Sequence, residues 1–256
     1  MPKDKVLVTG ADSYIGQMLF KEQSLQDAFN WAKLGPDTGK DEIISNLSDA
    51  KFLLHLFESK SGSDDRLMAD NAGYTGQLIE LMEESGHTLP FIYISSDYDD
   101  SEYGRSKLLS EQLIREYGQR RRIRNMIYRL PVLMGERLYL DEANPLHDLC
   151  YQLIFDRETI VLPDRDEHKF VDIKDVTGEI ARALSGRAFY ATVDLSICVV
   201  PSEHYADWER VLSILREIKE RGEDYPLPLY RKSSLEYKLY LTYHSLLDYY
   251  STREIK

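Results

Sequence analysis

Two cysteines in 256 residues exclude a disulfide framework and a cysteine-built metal centre, so Cys150 and Cys198 read as core residues of a chain kept in a reducing compartment. Basic charge is also scarce. Thirty-two Lys and Arg stand against 44 Asp and Glu, a formal charge of −12, which argues against nucleic-acid partners and against an anionic membrane surface. No apolar run approaches the length of about 18 residues that a membrane span needs, and Met1-Pro2-Lys3-Asp4-Lys5 leads into a strand with no signal-peptide pattern. Internal repeats, low-complexity tracts and an interdomain linker are missing as well, and Gly222 to Pro228 is the one candidate hinge. What is there, with 43% hydrophobic residues, suits one large α/β domain or one domain with a small appendage, expected in the cytoplasm.

The stretch that organises the chain is PFIYISSDYDDSEYGRSKLLSEQL, Pro90 to Leu113. Phe91 to Ile94 is a buried strand by its β-branched and aromatic content, and it stops at Ser95 and Ser96. From Tyr103 the apolar positions take helical spacing at Leu108, Leu109, Leu113 and Ile114, which puts Tyr103 and Lys107 on one helical face. Other strands are predicted at Lys5 to Thr9, Asp27 to Lys33, Lys51 to Phe57, Asn125 to Leu130, Glu158 to Leu162, Phe170 to Ile173 and Tyr190 to Val200. Helices are predicted from the Gly10 turn to about Leu25 and at Asp41 to Leu47, Arg66 to Glu84, Asn144 to Phe155, Asp175 to Ser185, Trp208 to Arg221 and Leu235 to Tyr250.

Residue types define the chemistry of that stretch. A phenol with an ordinary pKa near 10 is a poor proton donor or acceptor at neutral pH, but an ammonium one helical turn away favours the phenolate. Tyr103 is therefore a candidate general acid or base, tuned by Lys107. A serine at the end of the preceding strand adds a hydrogen bond to a substrate oxygen that gains charge, with Ser96 the first candidate and Ser95 the second. Among the 18 tyrosines, Tyr103 alone has a lysine four residues on.

Ser96, Tyr103 and Lys107, as Ser…Tyr-x-x-x-Lys, together with Val8-Thr9-Gly10-Ala11, resemble the extended short-chain dehydrogenase/reductase family. Within it the chain is similar to the reductase domain of the bifunctional capsular-polysaccharide enzymes of UDP-N-acetyl-L-fucosamine precursor synthesis. The residues that carry this likeness are Tyr103 to Gly118, Ile127 to Pro131 and Leu239 to Leu247, without the cupin domain those enzymes carry. The resemblance implies an α/β fold, a Rossmann-like doubly wound parallel sheet with a small C-terminal substrate-binding subdomain. Residues 1–137 would form the NAD(P)-binding core and 138–256 mostly the subdomain, with about 170–200 returning to the core. It implies catalytic Ser96, Tyr103 and Lys107, and a cofactor site of Gly10, Asp12, Ser13, Tyr14, Ile15, Gly16, Lys33, Leu56, Phe57, Tyr103, Lys107 and Pro131. Substrate contacts fall on Asp97, Tyr98, Val132 and Arg165, and no metal is called for. NADPH is the implied cofactor, with NADH as the alternative, because Lys33 lies nearest the position that meets the adenosine ribose. The implied reaction is reduction of the C4 ketone of a nucleotide-linked 4-keto-6-deoxy sugar by a homodimer.

Two departures stand on the cofactor side. Ser13 occupies the middle glycine position of Thr-Gly-x-x-Gly-x-x-Gly, and Phe57-Glu58 replaces two small residues after His55-Leu56. They motivate a second reading, a non-catalytic nucleotide-binding relative; an epimerase or dehydratase on the same fold is the third. His55 reads as a satisfied core histidine, and the run Arg120 to Arg124 as a basic helix end rather than a nucleic-acid patch.

Overall fold

The computed structural model of the chain describes residues 3–97, 101–164, 166–186, 197–227 and 230–253. Its strands are β1 (Asp4–Thr9), β2 (Phe29–Leu34), β3 (Ala50–His55), β4 (Phe91–Ser96), β5 (Met126–Leu130), β6 (Val132–Met134), β7 (Glu167–Asp172), β8 (Ile197–Val199) and β9 (His204–Asp207). The α-helices are α1 (Tyr14–Leu19), α2 (Gln23–Ala28), α3 (Lys40–Leu47), α4 (Asp64–Met68), α5 (Tyr74–Ser85), α6 (Glu102–Arg121), α7 (Pro145–Ile154), α8 (Ile173–Leu184), α9 (Trp208–Arg221) and α10 (Leu235–Ser251).

Two compact units divide the chain: Met1–Leu130 with Thr177–Val200, and Pro131–Val176 with Pro201–Lys256. In the first, six strands pair in parallel in the order β2-β1-β3-β4-β5-β8. Successive residues Val6, Leu7 and Val8 are all fully buried. Their side chains point to opposite faces of the sheet, so both faces are covered, as parallel sheets require. Against Leu7, Leu53, Phe91 and Ile127 of the strands, α3, α5 and α6 bring Ile43, Leu47, Leu78, Met82, Ile114 and Tyr117. Each such side chain contributes about 1.5–3 kcal/mol by leaving water. The sheet is Rossmann-like. The chain steps outward from β1 to β2 and then returns to β3 on the other side, and the carboxyl ends of β1 and β3 flank the point where open α/β sheets bind ligands.

The second unit has a small sheet of its own, in which β6 runs parallel to β7 and β7 antiparallel to β9. Phe170 meets the Trp208 ring edge-on at 5.2 Å. Leu239, Tyr243 and Leu246 of α10 are buried, and Tyr249 stacks on Tyr139 at 3.9 Å, so tyrosines on this helix serve packing. Cys150 is free and buried, and burial pushes its thiol pKa up. Among the described residues no helix is long and apolar enough to cross a membrane.

Several boundaries differ from the sequence expectations. The cores part after Leu130 rather than after residue 137, and the returning segment starts at Thr177 rather than near 170, because Phe170 to Asp172 pair with β6. The first helix stops at Leu19; a separate α2 follows, and the Trp31 indole N–H donates to the Leu25 carbonyl at its end, 3.3 Å away. The second strand is thereby displaced to Phe29–Leu34. Glu158 to Leu162 forms no strand, since the Gln152 side chain takes both the N–H and the C=O of Val161, at 2.7 and 3.1 Å. The helix expected over Arg66 to Glu84 is α4 and α5 joined by a π-helical turn, Ala69–Gly73, which carries Asn71.

Candidate active site

The first turn of α6 sets the site, and the rest of that helix is anchored to the sheet beneath it. Ser101 caps it by accepting from the Gly104 N–H at 3.0 Å. Glu111, fully buried, takes a two-pronged grip from Arg129 of β5, 2.8 Å at each oxygen. Near the far end, Tyr117 exchanges hydrogen bonds with the backbone of Leu89, and Asn125 links the Ile114 carbonyl to the Phe91 N–H. Helix α6 is thus tied at its middle to β5, and near its far end to β4 and to Leu89 just before it.

One turn apart on this helix, Tyr103 and Lys107 converge on one oxygen. Both donate to Glu58 Oε2, the phenol at 2.6 Å and the ammonium at 3.0 Å. The other carboxylate oxygen lies 3.1 Å from Lys60 Nζ. Lys107 is 1% exposed and sits 4.7 Å from the Tyr93 ring centroid. Burial alone would lower its pKa, but Tyr93 and the Glu58 carboxylate outweigh that and raise it. Burial alone would raise Glu58, yet the ammonium groups of Lys60 and Lys107 and the two hydrogen bonds hold its carboxyl below the usual range.

Glu58 rises from a backbone with little freedom. Leu56 and Phe57 donate to the carbonyl and hydroxyl of Thr9, at 3.1 and 3.2 Å. Asn71 clamps Ser59 by accepting from its N–H at 2.7 Å and donating to its carbonyl at 2.9 Å, and it reaches Ser106 of α6 at 2.8 Å. The Phe57 ring stands edge-on to Tyr74, 5.1 Å between centroids. His55, one residue before this connection, bridges Thr9 at 2.6 Å and Thr75 at 2.9 Å. Burial first, and then Lys107, push its pKa down to about 3, so it is a neutral core histidine.

At the end of β1, Gly10 has φ +67°, and a Cβ there would lie 2.5 Å from the Phe57 nitrogen and 2.6 Å from the Leu56 carbonyl carbon. A Cβ on Gly16 would meet the Ala11 carbonyl oxygen at 2.5 Å. Both glycines are required by the chain's own backbone. Ser13 caps α1 by accepting from the Gly16 N–H at 3.2 Å. Tyr14 and Ile15 point into the core, whereas Asp12 is exposed, its carbonyl accepting from Gln17. Lys33 is exposed on the edge strand, its ammonium 4.6 Å from the Phe20 ring centroid.

Of the remaining expected residues, Ser96 is half-buried at the carboxyl end of β4, while Ser95 is buried and its hydroxyl has no partner among the described residues. Asp97 is exposed and its N–H donates to Leu130. Leu56 is buried behind Thr9. Pro131 opens the second unit, and Val132 is 4% exposed in its small sheet, paired with Phe170. Tyr98 and Arg165 lie outside the described residues. Arg129 at the end of the next strand is engaged by Glu111. The structure therefore brings Tyr103 and Lys107 together and adds Glu58, which the sequence marks only as an oddity. For a dinucleotide the donor set fits: a phenol and an ammonium already share one oxygen acceptor, which is what a ribose hydroxyl would offer them. The fit holds only with the Glu58 side chain turned away.

Comparison with known proteins agrees. An NAD-binding family model, described as male sterility protein, matches residues 96–174. The UDP-2-acetamido-2,6-beta-L-arabino-hexul-4-ose reductase of Pseudomonas aeruginosa is 23% identical over 186 residues, 72% of this chain and 50% of that protein. The crystal structure of the capsular polysaccharide assembling protein CapF from Staphylococcus aureus superposes with TM-score 0.74 at 25% identity, covering 94% of this chain and 65% of CapF. UDP-glucuronic acid 4-epimerase from Bacillus cereus, solved with UDP-glucuronic acid and NAD, superposes with TM-score 0.76 at 18% identity, covering 96% of this chain and 100% of the epimerase. The resemblance to the extended short-chain dehydrogenase/reductases therefore holds in fold and in sequence. The chain spans about half the length of the curated reductase it matches and about two thirds of CapF.

Proposed function

We propose that this chain is an NAD(P)H-dependent oxidoreductase that reduces the C4 ketone of a nucleotide-linked 4-keto-6-deoxy sugar, in the synthesis of capsule or surface polysaccharide precursors. The observation that carries this reading is the convergence of Tyr103 Oη and Lys107 Nζ on one oxygen, at 2.6 and 3.0 Å. Likeness to a curated 4-ketosugar reductase and to CapF supports the substrate class.

The cofactor, when bound, supplies the hydride that reaches C4. Tyr103 gives its proton to the ketone oxygen, and Ser96 donates a hydrogen bond to the same oxygen as charge develops on it. Lys107 holds the nicotinamide ribose, and its positive charge favours departure of the phenolic proton. The turn from Gly10 to Gly16 faces the pyrophosphate, with Asp12 and Ser13 at its exposed edge. Lys33 meets the adenosine end and favours NADPH over NADH. The reading includes a cytoplasmic location and a homodimer, and light scattering of the purified protein checks the homodimer.

A panel of UDP- and dTDP-linked 4-keto-6-deoxy sugars, with loss of NADPH absorbance followed, tests the proposal. Turnover by the wild type, reduced at least about a hundredfold in Tyr103→Phe by loss of the general acid, is the expected result. A folded protein that binds NADPH but consumes none with any of these sugars would favour the non-catalytic relative, the reading that Glu58's hold on Tyr103 and Lys107 supports. Release of tightly bound NAD on denaturation would favour an epimerase or dehydratase.

A further inference from the structure

Glu58 takes up the two side chains on which the proposed chemistry depends. Its Oε2 is the common acceptor of Tyr103 and Lys107, and the backbone on either side of it is hydrogen-bonded in place. Leu56 and Phe57 are fixed to Thr9, Ser59 is fixed to Asn71, and Gly10 presses against the Leu56–Phe57 peptide. The side chain itself retains freedom. It is 18% exposed, and Lys60, on the solvent side at 28% exposure, already touches the second carboxylate oxygen.

A charge-assisted bond from a buried ammonium to a carboxylate is stronger than one to a neutral hydroxyl. A ribose therefore competes for Lys107 at a disadvantage as long as Glu58 is present.

We propose that Glu58 is an internal competitor of the dinucleotide: its carboxylate occupies the oxygen position shared by Tyr103 and Lys107, holds both donors in place, and must rotate toward Lys60 before a ribose hydroxyl can take that position. Glu58 is thus a positioning residue that sets cofactor affinity in this chain. The inference rests on the cofactor reading above and deepens it. Its consequence is a site that binds NADPH weakly on its own, with both reactive groups kept in register by the chain.

The test is calorimetric titration of the full chain and of its Glu58→Gln and Glu58→Ala variants with NADPH, with near-ultraviolet circular dichroism confirming the fold of each. Both variants are expected to bind at least tenfold more tightly than the wild type. Equal affinity in all three, or weaker binding in the variants, overturns the proposal and leaves the cofactor reading standing. Absence of binding in all three folded proteins overturns the cofactor reading and the proposal with it. Wild-type protein carrying 13C-labelled glutamate carboxyls provides the readout that needs no variant to fold. The Glu58 signal, assigned by its hydrogen-bond-shifted position, is expected to move on saturation with NADPH, and an unmoved signal in the bound protein overturns the proposal.

Discussion

Two connections meet at the switch point of the sheet, and they have been treated differently. The one after β1 keeps Gly10 and Gly16, and the one after β3 carries Phe57 and Glu58 where the family resemblance leads one to expect small residues. A motif reader would credit the first and discount the second. The structure reverses the weights. The glycines after β1 are accounted for by close approach to Leu56, Phe57 and Ala11, so their presence reports packing as much as ligand binding. The connection after β3 reaches the reactive side chains and fixes what they touch.

If that contrast is right, the first loop is vulnerable to bulk and the second to loss of charge. Gly10→Ala forces a Cβ within 2.5 Å of backbone at φ +67°. It is expected to destabilise the chain by about 3–5 kcal/mol in urea unfolding, the sum of overpacking and backbone strain. Glu58→Ala leaves the Lys107 ammonium buried without its carboxylate and is expected to remove about 2–3 kcal/mol at pH 7. Because the folded-state pKa of Glu58 is depressed, its contribution is present above the unfolded value, about 4.3, and fades as pH falls below it. The stability gap between wild type and variant should close in acid.

His55, at the end of β3, joins β1 to α5 through Thr9 and Thr75, and its pKa falls from 6.5 to about 3 on folding. Below pH 6.5 the unfolded chain takes up a proton that the folded chain refuses. Stability is then lost as pH falls toward 3, by at most about 1.4 kcal/mol per pH unit. His55→Gln should flatten that limb in an unfolding series from pH 7 to pH 4. The smallest effect belongs to Ser13→Gly, which removes the α1 cap but costs only a few tenths of a kcal/mol. A loss of about 2–3 kcal/mol on thermal unfolding would mean that the first loop depends on Ser13 as much as the second depends on Glu58.

The central strands and the Tyr103–Lys107 pair were legible because both are local signals. Phe91 to Ile94 is a run of buried residues in sequence, and i, i+4 spacing places two side chains on one helical face. Edge strand β2 starts two residues later than expected because the separate helix α2 runs up to Ala28, and its exposed Asn30 and Lys33 leave little pattern to mark the boundary. The strand expected at Glu158 to Leu162 failed because a glutamine side chain captured Val161, which no local pattern announces. Glu58 was visible as a departure and invisible as a partner. It stands 45 residues from Tyr103 and 49 from Lys107, and only the pairing of β3 with β4 brings them together. Asn71 is of the same kind, clamping Ser59 from 12 residues away.

The account stands most directly on hydride transfer, and the decisive measurement is a single-turnover reaction of the wild type with NADPH deuterated at nicotinamide C4 and a UDP-linked 4-keto-6-deoxy sugar. The account predicts a product one mass unit heavier, with deuterium at sugar C4 by nuclear magnetic resonance, formed at least about a hundredfold more slowly by Tyr103→Phe. Recovery of unreduced sugar from folded, NADPH-bound protein, or reduction that leaves C4 unlabelled, would contradict it.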